Sequence, residues 1–160
     1  MGLMDAQEYD PRPAQRRWRL IVITAVVIVV PLAVWYFFLY YWPEEHAVNK
    51  FFQAIEQKDF ETAYGFYEAD PGWKQHPEKY QDYTFSQFRQ DWGPQGEYGV
   101  ITSHKVDCAT ELPKKDFHSA SGVIVVVKIN QRAEAKSLWV EKKSKSISLS
   151  PREVLCHAGG

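Results

Sequence analysis

Charge is missing from one stretch of this chain: the 23 positions from Leu20 to Trp42 contain no Asp, Glu, Lys or Arg. Cysteine is scarce, two in 160 residues and never as Cys-x-x-Cys, which excludes a dithiol redox motif. A surplus of either sign is also missing. With 19 basic and 20 acidic residues, the chain lacks the basic excess of a nucleic-acid-binding domain, so no nucleic acid is expected as a partner. No internal repeat and no low-complexity tract breaks the sequence, and 24% charged with 45% apolar residues excludes wholesale disorder. The mean hydropathy of −0.41 is low for a chain with so apolar a block, so the remainder must be markedly polar. Two materials are joined end to end.

The block LIVITAVVIVVPLAVWYFFLYYW is roughly 34 Å long as a helix, against about 30 Å of bilayer hydrocarbon. A cleaved signal peptide would have a shorter core and a small-residue cleavage site; here the core runs into Trp35, Tyr36, Phe37, Phe38, Tyr40, Tyr41 and Trp42. No lipid-attachment cysteine lies near its end. The block is therefore expected to remain as a transmembrane anchor, with the lipid bilayer as its partner. Arg12, Arg16, Arg17 and Arg19 precede it and Glu44 and Glu45 follow it, which predicts a cytoplasmic N-terminus and an extracytoplasmic C-terminal domain. Pro31 is read as a tolerated bend. With no ionisable group inside, the span suggests neither transport nor a proton relay. The expected organisation is a disordered cytoplasmic stub (1–17), a transmembrane helix (18–43), an extracytoplasmic α+β domain (44–150) and a C-terminal tail (151–160).

Beyond the anchor the apolar period is helical at first. Pro43-Glu44-Glu45 suits a helix start, and Ala47, Val48, Phe51, Phe52 and Ile55 continue on one face. Lys58-Asp59 marks a break. A second stripe follows at Phe60, Ala63, Tyr64 and Tyr67, closed by Asp70-Pro71-Gly72. Thr84-Phe85-Ser86-Gln87 reads as a capping box, with Gly93-Pro94 as the stop. Residues 73–83 are ambiguous, with one short helix from Pro77 as a candidate. After Gly96 the period changes to two. A first strand is expected over Tyr98–Cys108, with His104 and Cys108 on one face. A β-branched run from Gly122 to Asn130 is expected as a central strand covered on both sides, followed by strands over 134–143 and 145–149. Residues 109–119 are read as a polar hairpin loop. Helices first and strands second predict an α+β fold with helices packed on one face of an antiparallel sheet.

The segment from Val48 to Tyr64 (VNKFFQAIEQKDFETAY) resembles the opening of nuclear-transport-factor-2-like domains, in which a long helix and an acid–aromatic–x–x–Ala step precede further helix. The resemblance covers roughly residues 44–150 and implies a curved antiparallel sheet closing a cone. Its nearest likeness is to membrane-anchored members of unknown function. Enzymes on that fold place acid, tyrosine or histidine side chains inside the cone, which makes Tyr64, Tyr67, Asp70, Asp91, Tyr98 and His104 candidates. The candidate pocket is Tyr64, Tyr67, Trp92, Tyr98 and His104. None of them matches a catalytic motif, and core and surface aromatics are the plainer reading. No cofactor is implied.

Cys108 and Cys156 are expected to pair outside the cytoplasm, closing a loop of about 49 residues that confers about 4 kcal/mol in the chain-entropy model. Two free thiols are the alternative. A zinc site of His104, Cys108, Cys156 and His157 has suitable ligand types but poor spacing. His46, His76 and His118 look like isolated surface residues. Lys114-Lys115 and Lys142-Lys143-Ser144-Lys145 read as solvated charges guarding loop and strand edges. Three functions remain open. The first is a non-catalytic binding or assembly domain for a protein partner. The second is a pocket-bearing enzyme or lipophilic-ligand binder. The third is a homodimerising element of the envelope. An interior plugged by Phe51, Phe88 and Trp92 would oppose the second.

Overall fold

The computed structural model describes residues 12–111 and 121–156, of which the chain divides into two compact units meeting between Tyr40 and Tyr41. The first unit is helix α1, Arg12–Leu39. Its window Arg17–Tyr36 has a mean hydropathy of 2.3, and it is the one helix among the described residues long and apolar enough to cross a membrane. The helix includes residues 12–17, which the stub was expected to contain; Pro13 falls in its first turn, where a missing N–H costs no hydrogen bond. Residues 1–11 lie outside the described residues. Pro31 sits inside the helix.

The second unit opens with α2, Trp42–Glu56. Pro43 and the acids Glu44 and Glu45 occupy its first turn, as helix geometry and dipole favour. Lys58, in the left-handed region at φ 62°, turns the chain. Asp59 then caps α3, Phe60–Tyr67, by accepting from the Thr62 N–H at 3.1 Å. Residues 73–80 form two short 3-10 turns, Trp73–Gln75 and Pro77–Tyr80, instead of one helix. Helix α4, Phe85–Trp92, has the full capping box: Thr84 Oγ1 accepts from the Gln87 N–H, and Gln87 Oε1 accepts from the Thr84 N–H at 2.8 Å.

Four antiparallel strands follow as a meander: β1 His104–Thr110, β2 Gly122–Ile129, β3 Ala135–Glu141 and β4 Ile147–Leu149, in spatial order β1-β2-β3-β4. The fold is thus α+β, with α2 against the inner face of the sheet. Val123, Val125, Val127 and Ile129 of β2 join Leu138, Val140 and Ile147 in one core with Val48, Phe51, Phe52, Tyr64, Phe88 and Trp92 of the helices. Ile124 and Val126 point to the other face, where they form a second, smaller cluster with Val154 and Cys156 of the C-terminal segment. The central strand is covered on both sides, as its β-branched run predicts.

Two expectations are corrected. The first strand begins at His104, not Tyr98, because Asn130 engages the backbone before it. Its Oδ1 accepts from the Thr102 N–H at 2.8 Å and its Nδ2 donates to the Val100 carbonyl at 2.8 Å. Those groups are spent on a side chain rather than on a neighbouring strand. Asn130 and Gln131 open the β2–β3 connection at φ 51° and 57°, with the Arg132 N–H donating to the Ile129 carbonyl across them at 3.0 Å. The second correction concerns β1, whose register with β2 shifts between Val106 and Cys108. This bulge adds one residue, Asp107, and turns Cys108 to the outer face, opposite His104.

Candidate functional site

The five residues of the expected pocket do not enclose a cavity. Tyr64 is fully buried; its hydroxyl donates to the Tyr83 carbonyl at 2.5 Å and its ring packs on Trp73 and Phe88. Burial pushes its phenol up to about 12. Tyr67 packs between Phe51, Tyr83 and Phe88, and burial also pushes it up to about 12. Trp92 meets Phe51 edge-on at 5.1 Å and Phe52 at 5.8 Å. Phe51 and Phe88 are fully buried and in edge contact. The interior is filled by rings at the separations aromatic packing prefers.

His104 is a bridge between α2 and β1. Its Nδ1 lies 2.7 Å from Glu56 Oε1 and its Nε2 lies 2.9 Å from Asn49 Oδ1, with the ring stacked on Phe52 at 5.1 Å. Both nitrogens are engaged by side chains of α2, so the ring ties that helix to β1. Cys108 and Cys156 form a disulfide with Cα atoms 5.9 Å apart. The four residues weighed for zinc are not brought together: Cys108 and Cys156 are bonded to each other, His104 faces away from them, and His157 lies outside the described residues. Among the described residues no group of three or more His, Cys, Asp or Glu is placed to hold a metal ion.

Asp70, the other acid near the aromatic cluster, organises its own loop. One carboxylate oxygen accepts from the Gly72 N–H at 2.8 Å; the other takes Tyr80 OH at 2.5 Å and meets the His76 ring. The Tyr80 and His76 hydrogen bonds hold the carboxyl down at about 2. His76 is thus tied to a loop carboxylate, and His46 stacks on Trp42 at 4.7 Å. Lys114, Lys115 and His118 lie outside the described residues. Lys142 meets Glu111, and Lys145 reaches Glu44 at 2.6 Å, so the lysine-rich turn is partly neutralised.

Only Trp92 and Tyr98 of the expected five reach an open groove, about 410 Å³ in volume, between α4 and the β3–β4 sheet edge. Tyr83, Asp91, Glu97 and Lys136 are among its polar lining, and Leu149 is among its apolar lining. Tyr83 donates to Asp91 Oδ2 at 2.8 Å; burial, then that hydrogen bond, push its phenol well above the ordinary range. Lys136 lies 3.9 Å from Glu97. Tyr98 has Trp92 stacked on it at 6.0 Å and the Arg132 guanidinium 5.3 Å from its ring centre. Sequence reasoning picked out Asp91 but missed Tyr83 and Lys136. Tyr83 stands just before the α4 cap, and the capping box was the available signal that places it ahead of the helix whose last turn carries Asp91. Nothing local points to Lys136, which arrives from β3. No protein-family model, curated protein or solved structure matches the chain.

Proposed function

We propose that this chain is a single-pass membrane protein presenting a non-catalytic binding or assembly domain outside the cytoplasm, on a cone-type scaffold like that of the nuclear-transport-factor-2-like domains. The apolar helix α1 and the arginines ahead of it support an anchor with its N-terminus in the cytoplasm. The Cys108–Cys156 disulfide supports an oxidising compartment for the domain. Three helices followed by a four-stranded antiparallel meander are in keeping with the cone scaffold. One observation carries the functional reading: the interior is filled by Phe51, Phe52, Tyr64, Phe88 and Trp92, which leaves recognition to the surface. An interior pocket for catalysis or a lipophilic ligand would need that volume. A dimer through the outer sheet face would have to displace the C-terminal segment already lying there.

The groove beside Tyr98 is the surface best suited to a partner. Photocrosslinking side chains placed singly at Gln90, Lys136 and Leu149 of the membrane-embedded protein should give an adduct of one discrete mass. The same probe at Lys79 or Glu153 should not. Equal labelling at all five positions, or none at the groove, overturns the reading. A C-terminal phosphatase fusion should be active; an inactive phosphatase with a glowing C-terminal fluorescent fusion would reverse the topology.

A further inference from the structure

The C-terminal segment crosses the outer face of the sheet as a strap. Ser150 N–H donates to the Ser137 carbonyl on β3 at 3.2 Å. Further on, the Val154 N–H donates to Ser137 Oγ at 3.0 Å, and that hydroxyl lies 3.5 Å from the Val154 carbonyl. Cys156 then ends on Cys108 of β1. Cys108, Val126 and Ser137 are register partners across β1, β2 and β3, so the strap follows one row across three of the four strands and ends on the edge strand β1. Beneath it lie Ile124 and Val126, fully or almost fully buried.

The hold on this strap is thin apart from its covalent end. It contains no helix or strand; Val154 and Cys156 are its contributions to the small outer cluster, and Leu155 is 79% exposed. None of its residues enters the main core, which lies on the opposite face. Ser137 is one of two buried polar side chains among the described residues. An apolar residue there would favour a permanently covered face. A serine is satisfied by Val154 when the strap is down and by water when it is up, so its burial does not oppose release.

We propose that Cys108–Cys156 is a thiol-exchange site and that its reduction releases the strap while the rest of the domain stays folded. The reductant is a dithiol. One of its thiolates attacks a sulfur of the pair, and the other cysteine leaves as a thiolate and takes up a proton. The second external thiol resolves the mixed disulfide, so the reductant ends as a disulfide and the protein as two thiols. Release uncovers Ile124, Val126 and the face of the Trp139 indole that packs with them, an apolar strip on the outer side of the sheet.

The test is hydrogen–deuterium exchange of the full chain in detergent micelles, before and after dithiothreitol and alkylation of both thiols. Protection should be lost in peptides covering 150–156, with binding of a hydrophobic dye, while peptides from α2, α4 and β2 keep their protection. Unchanged protection over 150–156 after complete alkylation overturns the proposal. So does loss of protection throughout the domain, which would make the bond a staple of the whole fold. Ser137→Ala, which keeps the disulfide, gives an independent reading. The bond should reduce about fivefold faster, the effect of one neutral hydrogen bond; an unchanged rate also overturns the proposal.

Discussion

Cys108 and His104 lie on opposite faces of β1, although four residues separate them and strict alternation would put them on the same one. Asp107 is the extra residue that reverses the phase. It also sits where Lys105 and Lys128 are direct cross-strand partners, 2.8 Å from the Lys128 amine and 3.7 Å from that of Lys105. Like charges opposite one another destabilise a sheet, and the intervening carboxylate offsets this. Deleting Asp107 removes the bulge without changing the face of Cys108, which then follows Val106 directly and stays opposite Val126 on the outer side. The deletion protein should therefore retain no alkylatable thiols when isolated without reductant; two free thiols would contradict the assignment of Asp107 as the extra residue.

Glu44 and Lys145 are joined asymmetrically. The Glu44 side chain is 6% exposed and that of Lys145 is 36% exposed. Removing the lysine strands a carboxylate out of water; removing the acid leaves an amine that can turn to solvent. Lys145→Met should therefore cost about 1–3 kcal/mol, and Glu44→Gln distinctly less. Denaturant melts at pH 7 measure the difference. Equal costs for the two variants would contradict the asymmetry.

The helical half of the domain was legible because its signals are local. Pro43 with two acids, Asp59 ahead of an apolar stripe, and the Thr84–Gln87 box each lie within one turn of the terminus they define. The candidate site was not, because it depends on contacts between distant elements. Nothing near Asn130 in sequence says that its amide will occupy the backbone of 100–102. Nothing in a period-two run says that Asp107 will be looped out. The aromatic candidates were correctly located on apolar faces, but the same pattern serves a pocket wall and a solid core. Whether rings face a void or one another is decided by packing, as with Phe51 against Phe88 and Trp92.

Asp70 makes the 70–80 loop acid-sensitive. Its carboxyl, ordinarily near 3.8, is held at about 2 by the Tyr80 hydroxyl and the His76 ring. A folded-state value below the unfolded one means that the carboxylate stabilises the fold above the ordinary value. That contribution is lost as the pH falls from about 4 toward 2. The wild-type melting temperature should fall through this window more steeply than that of Asp70→Asn, and the two curves should converge at its acid end. Parallel curves would mean that the Asp70 contacts do not favour the ionised form.

Gly122, at the start of β2, is required by what lies over it. A methyl group there would come within 2.4 Å of the Trp139 indole and 2.6 Å of the Val140 carbonyl oxygen. The ring could swing aside, but the carbonyl belongs to the adjacent strand and cannot move without opening the β2–β3 ladder. Trp139 also donates through Nε1 to Glu141 Oε2 at 3.3 Å, and its ring packs in the outer cluster that the strap covers. Gly122→Ala should therefore cost about 1–3 kcal/mol by overpacking and should shift Trp139 fluorescence in the native state. A second-site Trp139→Leu, which clears the ring but not the carbonyl, should recover only part of that loss. Full recovery would assign the whole cost to the indole, and none would assign it to the backbone contact alone.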